Sequence, residues 1–174
     1  MMDAIAQVMS RLKTFSPLHE SYVTAVLIEI LSHYGENLSG LAIFGSYARK
    51  ENRKNSDLDL LIILRKALGR RERLVEFIED VELKHEDRAQ RLYEDENILC
   101  ELSPYILTET EALKAQPIYF DLVTHHVVVH DPKGVVAHII ATMETLLREI
   151  GARRVRRSNT WEWQTKRFLG GVEL

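Results

Sequence analysis

The chain has 174 residues, 45% of them hydrophobic and 28% charged, with a formal net charge of −3. That is enough for one domain with a real core and little room for two. The slightly acidic balance excludes a surface built broadly to coat nucleic acid, and the single cysteine, Cys100, excludes an internal disulfide or a multi-cysteine metal site. Residues 3–13 alternate apolar and polar groups at helical spacing. They predict an amphipathic helix rather than the uninterrupted apolar segment of a secretory signal. No apolar run approaches the roughly 20 residues that span a bilayer, so a cytoplasmic protein with no membrane partner is expected. Ser16 and Pro17 read as the cap and first turn of a second helix, running to about Ser32 and closed by Gly35. Residues 41–44 predict a buried strand, 47–53 a short helix and 57–64 the clearest strand. Residues 70–93 predict one long, charged helix. Residues 98–103 read as a strand ended by Pro104, 108–116 as a short helix and 127–130 as a last core strand. A turn at Pro132 and Gly134 precedes a helix over 135–150. The sum is an α+β (α/β-like) fold: a small mixed β-sheet covered by helices over residues 1–150, with a basic and aromatic tail over 151–174.

The chemistry is concentrated in residues 41–64, LAIFGSYARKENRKNSDLDLLIIL. A hydrophobic strand ends in Gly45-Ser46. Glycine reaches dihedrals closed to other residues and lets a ligand approach the backbone. Exposed amides at the start of the following helix attract anions, and the serine can cap or donate to phosphate oxygens. The glycine spacings of a dinucleotide fingerprint or a P-loop are absent. After ten intervening residues come Asp57 and Asp59, two apart on a strand and therefore on one face. Two neighbouring carboxylates repel unless a proton or a cation bridges them. Magnesium is the natural hard partner, since it prefers oxygen ligands. Glu101, placed by period two with Leu99 and Ser103, is the expected third carboxylate, where an inward-facing charge would otherwise be costly. Asp121 is its competitor. Arg49 suits either support of the phosphate loop or a surface ion pair.

Gly45-Ser46, ten intervening residues and Asp57-Leu58-Asp59 resemble the signature of the polymerase-beta-type nucleotidyltransferase superfamily. The Ser-Tyr-Ala-Arg extension and Ser56 make the chain similar to its minimal prokaryotic and archaeal branch. The resemblance implies the nucleotidyltransferase fold. It also implies that Gly45 and Ser46 contact a nucleoside triphosphate, with ATP the default, that Asp57 and Asp59 bind Mg2+, and that Glu101 matches the third metal-site carboxylate. Lys50 departs from the pattern, standing where many relatives carry glycine. The implied reaction is magnesium-dependent transfer of a nucleoside monophosphate, AMP by default, to an unidentified acceptor hydroxyl, with release of pyrophosphate.

Two alternatives accompany that reading. Small relatives act as antitoxins that transfer AMP to a separate helical toxin, and the motif spacing fits them. A non-catalytic nucleotide-binding or scaffold relative would keep the turn and the sheet without assembling the metal site. In the tail, ARRVRR at 152–157 precedes Trp161, Trp163, Lys166, Arg167 and Phe168. Packing or a homo-oligomer contact is the preferred role. Basic groups beside aromatics also suit single-stranded nucleic acid, which is not favoured here. His125, His126, His130 and His138 lack the spacing of a metal cluster.

Overall fold

The computed structural model describes residues 2–157 and 160–164. Helices α1 (Met2–Arg11) and α2 (Pro17–Tyr34) open the chain. The Ser16 hydroxyl accepts the His19 N–H at the start of α2, Pro17 fills the first turn, and Gly35 ends the helix. Strand β1 (Leu38–Ile43), the one-turn helix α3 (Gly45–Ala48) and strand β2 (Leu58–Leu64) follow. Helices α4 (Arg70–Phe77) and α5 (Glu86–Glu96) lead to strand β3 (Leu102–Thr108). The short helices α6 (Glu109–Ala112) and α7 (Tyr119–Thr124), strand β4 (Val127–His130) and helix α8 (Val135–Glu149) complete the layered part. A hairpin of β5 (Arg153–Arg157) and β6 (Thr160–Gln164) comes last.

The four-stranded sheet has the order β3-β2-β1-β4. β1 runs antiparallel to β2 and to β4, while β2 and β3 are parallel. Alternation along the two central strands divides the core between the faces of the sheet. Leu41, Ile43, Leu60 and Ile62 pack with Val23, Val26, Leu27 and Ile30 of α2. Ala42, Leu61 and Ile63 pack with Val136, Ile139 and Met143 of α8. Both central strands are therefore covered twice, which is why they read as near-continuous apolar runs. Gly40 makes the α8 approach possible, since a Cβ there would lie 2.6 Å from Val136 Cγ2. None of the described helices is long and apolar enough to cross a membrane.

Several elements differ from expectation. The helix predicted over 108–116 ends at Ala112, where the Gln116 side chain donates to the Glu111 carbonyl and the Tyr119 hydroxyl to that of Ala112. The helix predicted over 70–93 is broken between α4 and α5 by a π-helical segment, Ile78–Glu82, and a 3-10 turn, Leu83–His85. A straight helix of that length would extend about 36 Å. The break lets Phe77, Val81 and Leu92 all stay on the core while Leu74 and Ile78 turn outward. The strand predicted over 98–103 begins instead at Leu102 and runs through Pro104. β3 is an edge strand, and half the amides of an edge strand face no neighbour. The Leu58 N–H donates to the Glu101 carbonyl, so alternation points Glu101, Ser103 and Tyr105 toward β2 and the proline nitrogen outward. The helix predicted over 47–53 stops after α3, and Lys50 stands at φ 58°. The tail contributes a hairpin that pairs Arg154 with Trp163 and Arg156 with Trp161. The Trp163 ring lies 5.5 Å from that of Phe120 on α7. Lys166, Arg167 and Phe168 lie outside the described residues.

Candidate active site

The site forms where β1 ends and β2 begins. Phe44 is still extended, and its N–H donates to the Asp59 carbonyl at 3.1 Å. Gly45 then turns the chain with φ 68° and starts α3. Two independent constraints exclude a side chain at Gly45. The left-handed dihedral disfavours one, and a Cβ would fall 2.0 Å from Asp59 Oδ2. The glycine is thus the surface against which the Asp59 carboxylate rests. Ser46 stands half-buried in the first turn of α3, where helix amides lack partners within the helix.

The loop back to the acids is tied down locally. The Glu51 N–H donates to the Ser46 carbonyl, and the Ser56 hydroxyl accepts the Arg53 N–H at 2.8 Å. Asn52 and Lys13 each bond the other's backbone carbonyl through their side chains, both at 3.1 Å. Asp57 emerges exposed, one residue before β2, and Asp59 is half-buried on the same face. Leu58, Leu60, Ile62 and Leu64 turn to the other face and enter the core of α2.

Burial raises the Asp59 carboxyl above its ordinary value; the neighbouring Ser103 hydroxyl opposes the rise, the charge of Asp57 adds to it, Arg49 opposes it and Asp121 adds to it. Arg49 also pairs with Glu51, Nε to Oε2 at 3.0 Å. Of the two expectations for Arg49, the ion pair is present, and its charge also reaches Asp59.

Glu101 differs from its predicted setting. It lies just before β3 rather than inside a strand, and it is exposed rather than inward-facing. Its carbonyl accepts the Leu58 N–H at 2.8 Å, so its backbone is laced to the Asp57–Asp59 strand. Among the described residues, no three acids, histidines or cysteines gather as a metal-holding group. The structure brings Asp57 and Asp59 together and leaves Glu101 at the rim. Ser103, paired in register with Asp59, is a neighbour that the sequence reading grouped with Glu101 but gave no role.

Solved structures similar to this chain include a toxin–antitoxin complex with AMP-PNP, at 18% identity and TM-score 0.42, over 72% of this chain and 90% of that one. A tri-AMPylated HEPN toxin in complex with an MNT antitoxin, from Shewanella oneidensis, matches at 16% identity and TM-score 0.37, over 72% and 87%. No curated protein sequence matches the chain. The family model for the nucleotidyltransferase domain matches residues 25–114, just over half of the chain, which takes in β1, the glycine turn, both aspartates and β3. This chain belongs to that family of enzymes, whose substrates are nucleoside triphosphates.

Proposed function

We propose that the chain transfers AMP from ATP, with magnesium, to a hydroxyl on a helical protein partner, as an AMP-transferring antitoxin does to its toxin. The observation that carries the nucleotide part is the contact between Gly45 and Asp59, which sets a carboxylate directly against the glycine turn. The acceptor part is supported by exposure. Asp57 and Glu101 both face solvent, which leaves room for a hydroxyl presented on a protein surface. The spacing from Gly45-Ser46 to Asp57-Leu58-Asp59 matches that of the small antitoxins. The partner assignment rests on this motif and the open site, not on the distant structural likeness.

The donor set fits magnesium. Asp57 and Asp59 share one strand face, with the charge of Asp121 also reaching Asp59, and neighbouring carboxylates of this kind are the donor set that a hard cation bridges. Magnesium is commonly held by one or two carboxylates together with substrate phosphates and water. Asp57 and Asp59 would hold it here, and Glu101, exposed at the rim, stands outside that pair. When bound, the metal stabilises negative charge on the phosphates and makes the acceptor oxygen a better nucleophile.

The chain's own groups position the reactants. The α3 amides and the Ser46 hydroxyl hold the triphosphate, and Arg49 adds positive charge beside it. The acceptor hydroxyl gives up its proton to solvent as its oxygen attacks the α-phosphorus; the new O–P bond forms, the bond to the bridging oxygen breaks, and pyrophosphate leaves. Calorimetric titration with a non-hydrolysable ATP analogue, with and without magnesium, tests the site. Asp57→Asn/Asp59→Asn should weaken magnesium-dependent binding about 100-fold, a loss of ~2.7 kcal/mol, while Glu101→Gln reads whether the rim acid adds to the pair. A double variant that binds like wild type would falsify the assignment. Label from the α-phosphate of ATP should appear on a co-purified helical partner with wild type and not with Asp59→Asn.

A further inference from the structure

Beneath the glycine turn runs a line of buried polar groups that the chemistry above does not use. Tyr47 follows Ser46 directly and is 1% exposed. Its phenol oxygen lies 2.9 Å from His19 Nε2 and 3.2 Å from Cys100 Sγ. His19, wholly buried in the first turn of α2, accepts the Phe15 N–H on Nδ1 at 3.3 Å. Burial holds the imidazole below its ordinary pKa, against the opposing charge of Glu96, so the ring is neutral. A neutral imidazole carries one proton, and with Nδ1 accepting it must sit on Nε2. Nε2–H therefore donates to the Tyr47 oxygen, whose own proton goes to the Cys100 sulfur. Burial pushes the Cys100 thiol up to about 11, so it stays neutral as an acceptor.

The line thus has one direction, Phe15 to His19 to Tyr47 to Cys100, and joins α2, the phosphate turn and the segment before β3. That segment is itself laced to the loop carrying Asp57. The Leu99 N–H donates to the Lys54 carbonyl at 2.7 Å, and the Leu58 N–H to the Glu101 carbonyl at 2.8 Å. A phenylalanine at position 47 would fill the same space without a hydroxyl that needs partners, and unpaired buried polar groups cost about 1–3 kcal/mol each. The Tyr47 ring packs in the same buried cluster as Leu58 and Cys100, and the hydroxyl adds the directed bonds to His19 and Cys100.

We propose that the Tyr47 hydroxyl is a positioning group for the nucleotide site: through Cys100 it locks the Gly45–Ser46 turn to the strand end bearing Asp57 and Glu101, presetting the turn for a triphosphate. This rests on the nucleotide reading above. Groups set before the ligand arrives save the ordering cost of binding.

The test is a double-mutant cycle read by magnesium-dependent titration of the non-hydrolysable ATP analogue. Tyr47→Phe and Cys100→Ala should each weaken binding about 10-fold, and the double variant no further than Tyr47→Phe alone, because the Tyr47–Cys100 bond is common to both. Cys100→Ser keeps an acceptor and should bind within about 2-fold of wild type. A core control, Ile30→Val, should lose Tm yet bind like wild type. Penalties that add, equal binding by all variants, or an Ile30→Val loss as large as that of Tyr47→Phe would each overturn the proposal. If Tyr47→Phe does not fold, Cys100→Ala against Cys100→Ser decides alone. Wild type failing to bind the analogue overturns the nucleotide reading, whereas wild-type binding with unaffected variants overturns only the positioning role.

Discussion

Asp59 and Glu111 stand at opposite ends of the parallel β2–β3 pair, and their surroundings treat them in opposite ways. Asp59 is half-buried and raised first by that burial; the Ser103 hydroxyl lowers it, Asp57 raises it, Arg49 lowers it and Asp121 raises it. Glu111 receives two hydrogen bonds from the buried Arg73 guanidinium, at 2.7 and 3.0 Å, which hold its carboxyl down to about 2. It also closes a capping box with Thr108 at the start of α6. One acid has a counter-ion of its own and braces the fold. The other rests against a glycine, and Ser103 and Arg49 offset its burial only in part, so its carboxyl stays raised. A carboxylate already committed to a guanidinium is a poor ligand for a metal, so the contrast separates a stabilising end of the sheet from a working end.

Gly45→Ala should break the contrast most severely. The left-handed dihedral and the overlap with Asp59 Oδ2 together should cost about 3–4 kcal/mol in urea unfolding, and binding of the ATP analogue should be lost with it. An alanine variant of wild-type stability would mean that Asp59 can move away freely. Arg73→Ala leaves Glu111 without its counter-ion. It should cost ~2–4 kcal/mol, toward the lower value because Glu111 is partly exposed, yet leave analogue binding unchanged.

The same pair predicts a pH dependence. The Glu111 carboxyl is lowered from its ordinary 4.5 to about 2, so the contribution of the pair is complete above about 4.5 and fades as the pH falls toward about 2. Unfolding of Arg73→Ala should lack that portion of the slope. The smallest expected effect is Lys50→Gly, which relieves a left-handed lysine at φ 58° and should raise stability by about 0.5–1 kcal/mol. A loss of stability there would show that the lysine side chain contributes more than its backbone costs.

The working end was legible because it is local. The strand, the turn and both acids fall within residues 41–64, and period two alone puts Asp57 and Asp59 on one face, away from Leu58 and Leu60. The far side of the same site was not. Burial does alternate over Ile98, Cys100 and Leu102, so the faces of that segment were readable. The strand's position was not, since Pro104 looks like a terminator unless its place on the sheet edge is known. The pairing of Asp59 with Ser103 joins residues 44 positions apart and leaves no local trace. His19, Tyr47 and Cys100 come from three separate segments, and only the fold reveals that each buried polar atom has the next as its partner. The π-helical break after α4 is likewise a product of packing, because the charged run on either side keeps an unbroken helical period.

Pro104 has a bearing on how copies of this chain meet one another. The outer margin of a sheet offers unpaired amides to any passing strand, and that is a common start of edge-to-edge aggregation. In β3 the proline removes one of the donors that would face such a strand, in the middle of the segment where pairing would have to begin. The residue that reads in sequence as the end of a strand acts in the folded chain as a guard on its open side, keeping that margin from recruiting a further strand.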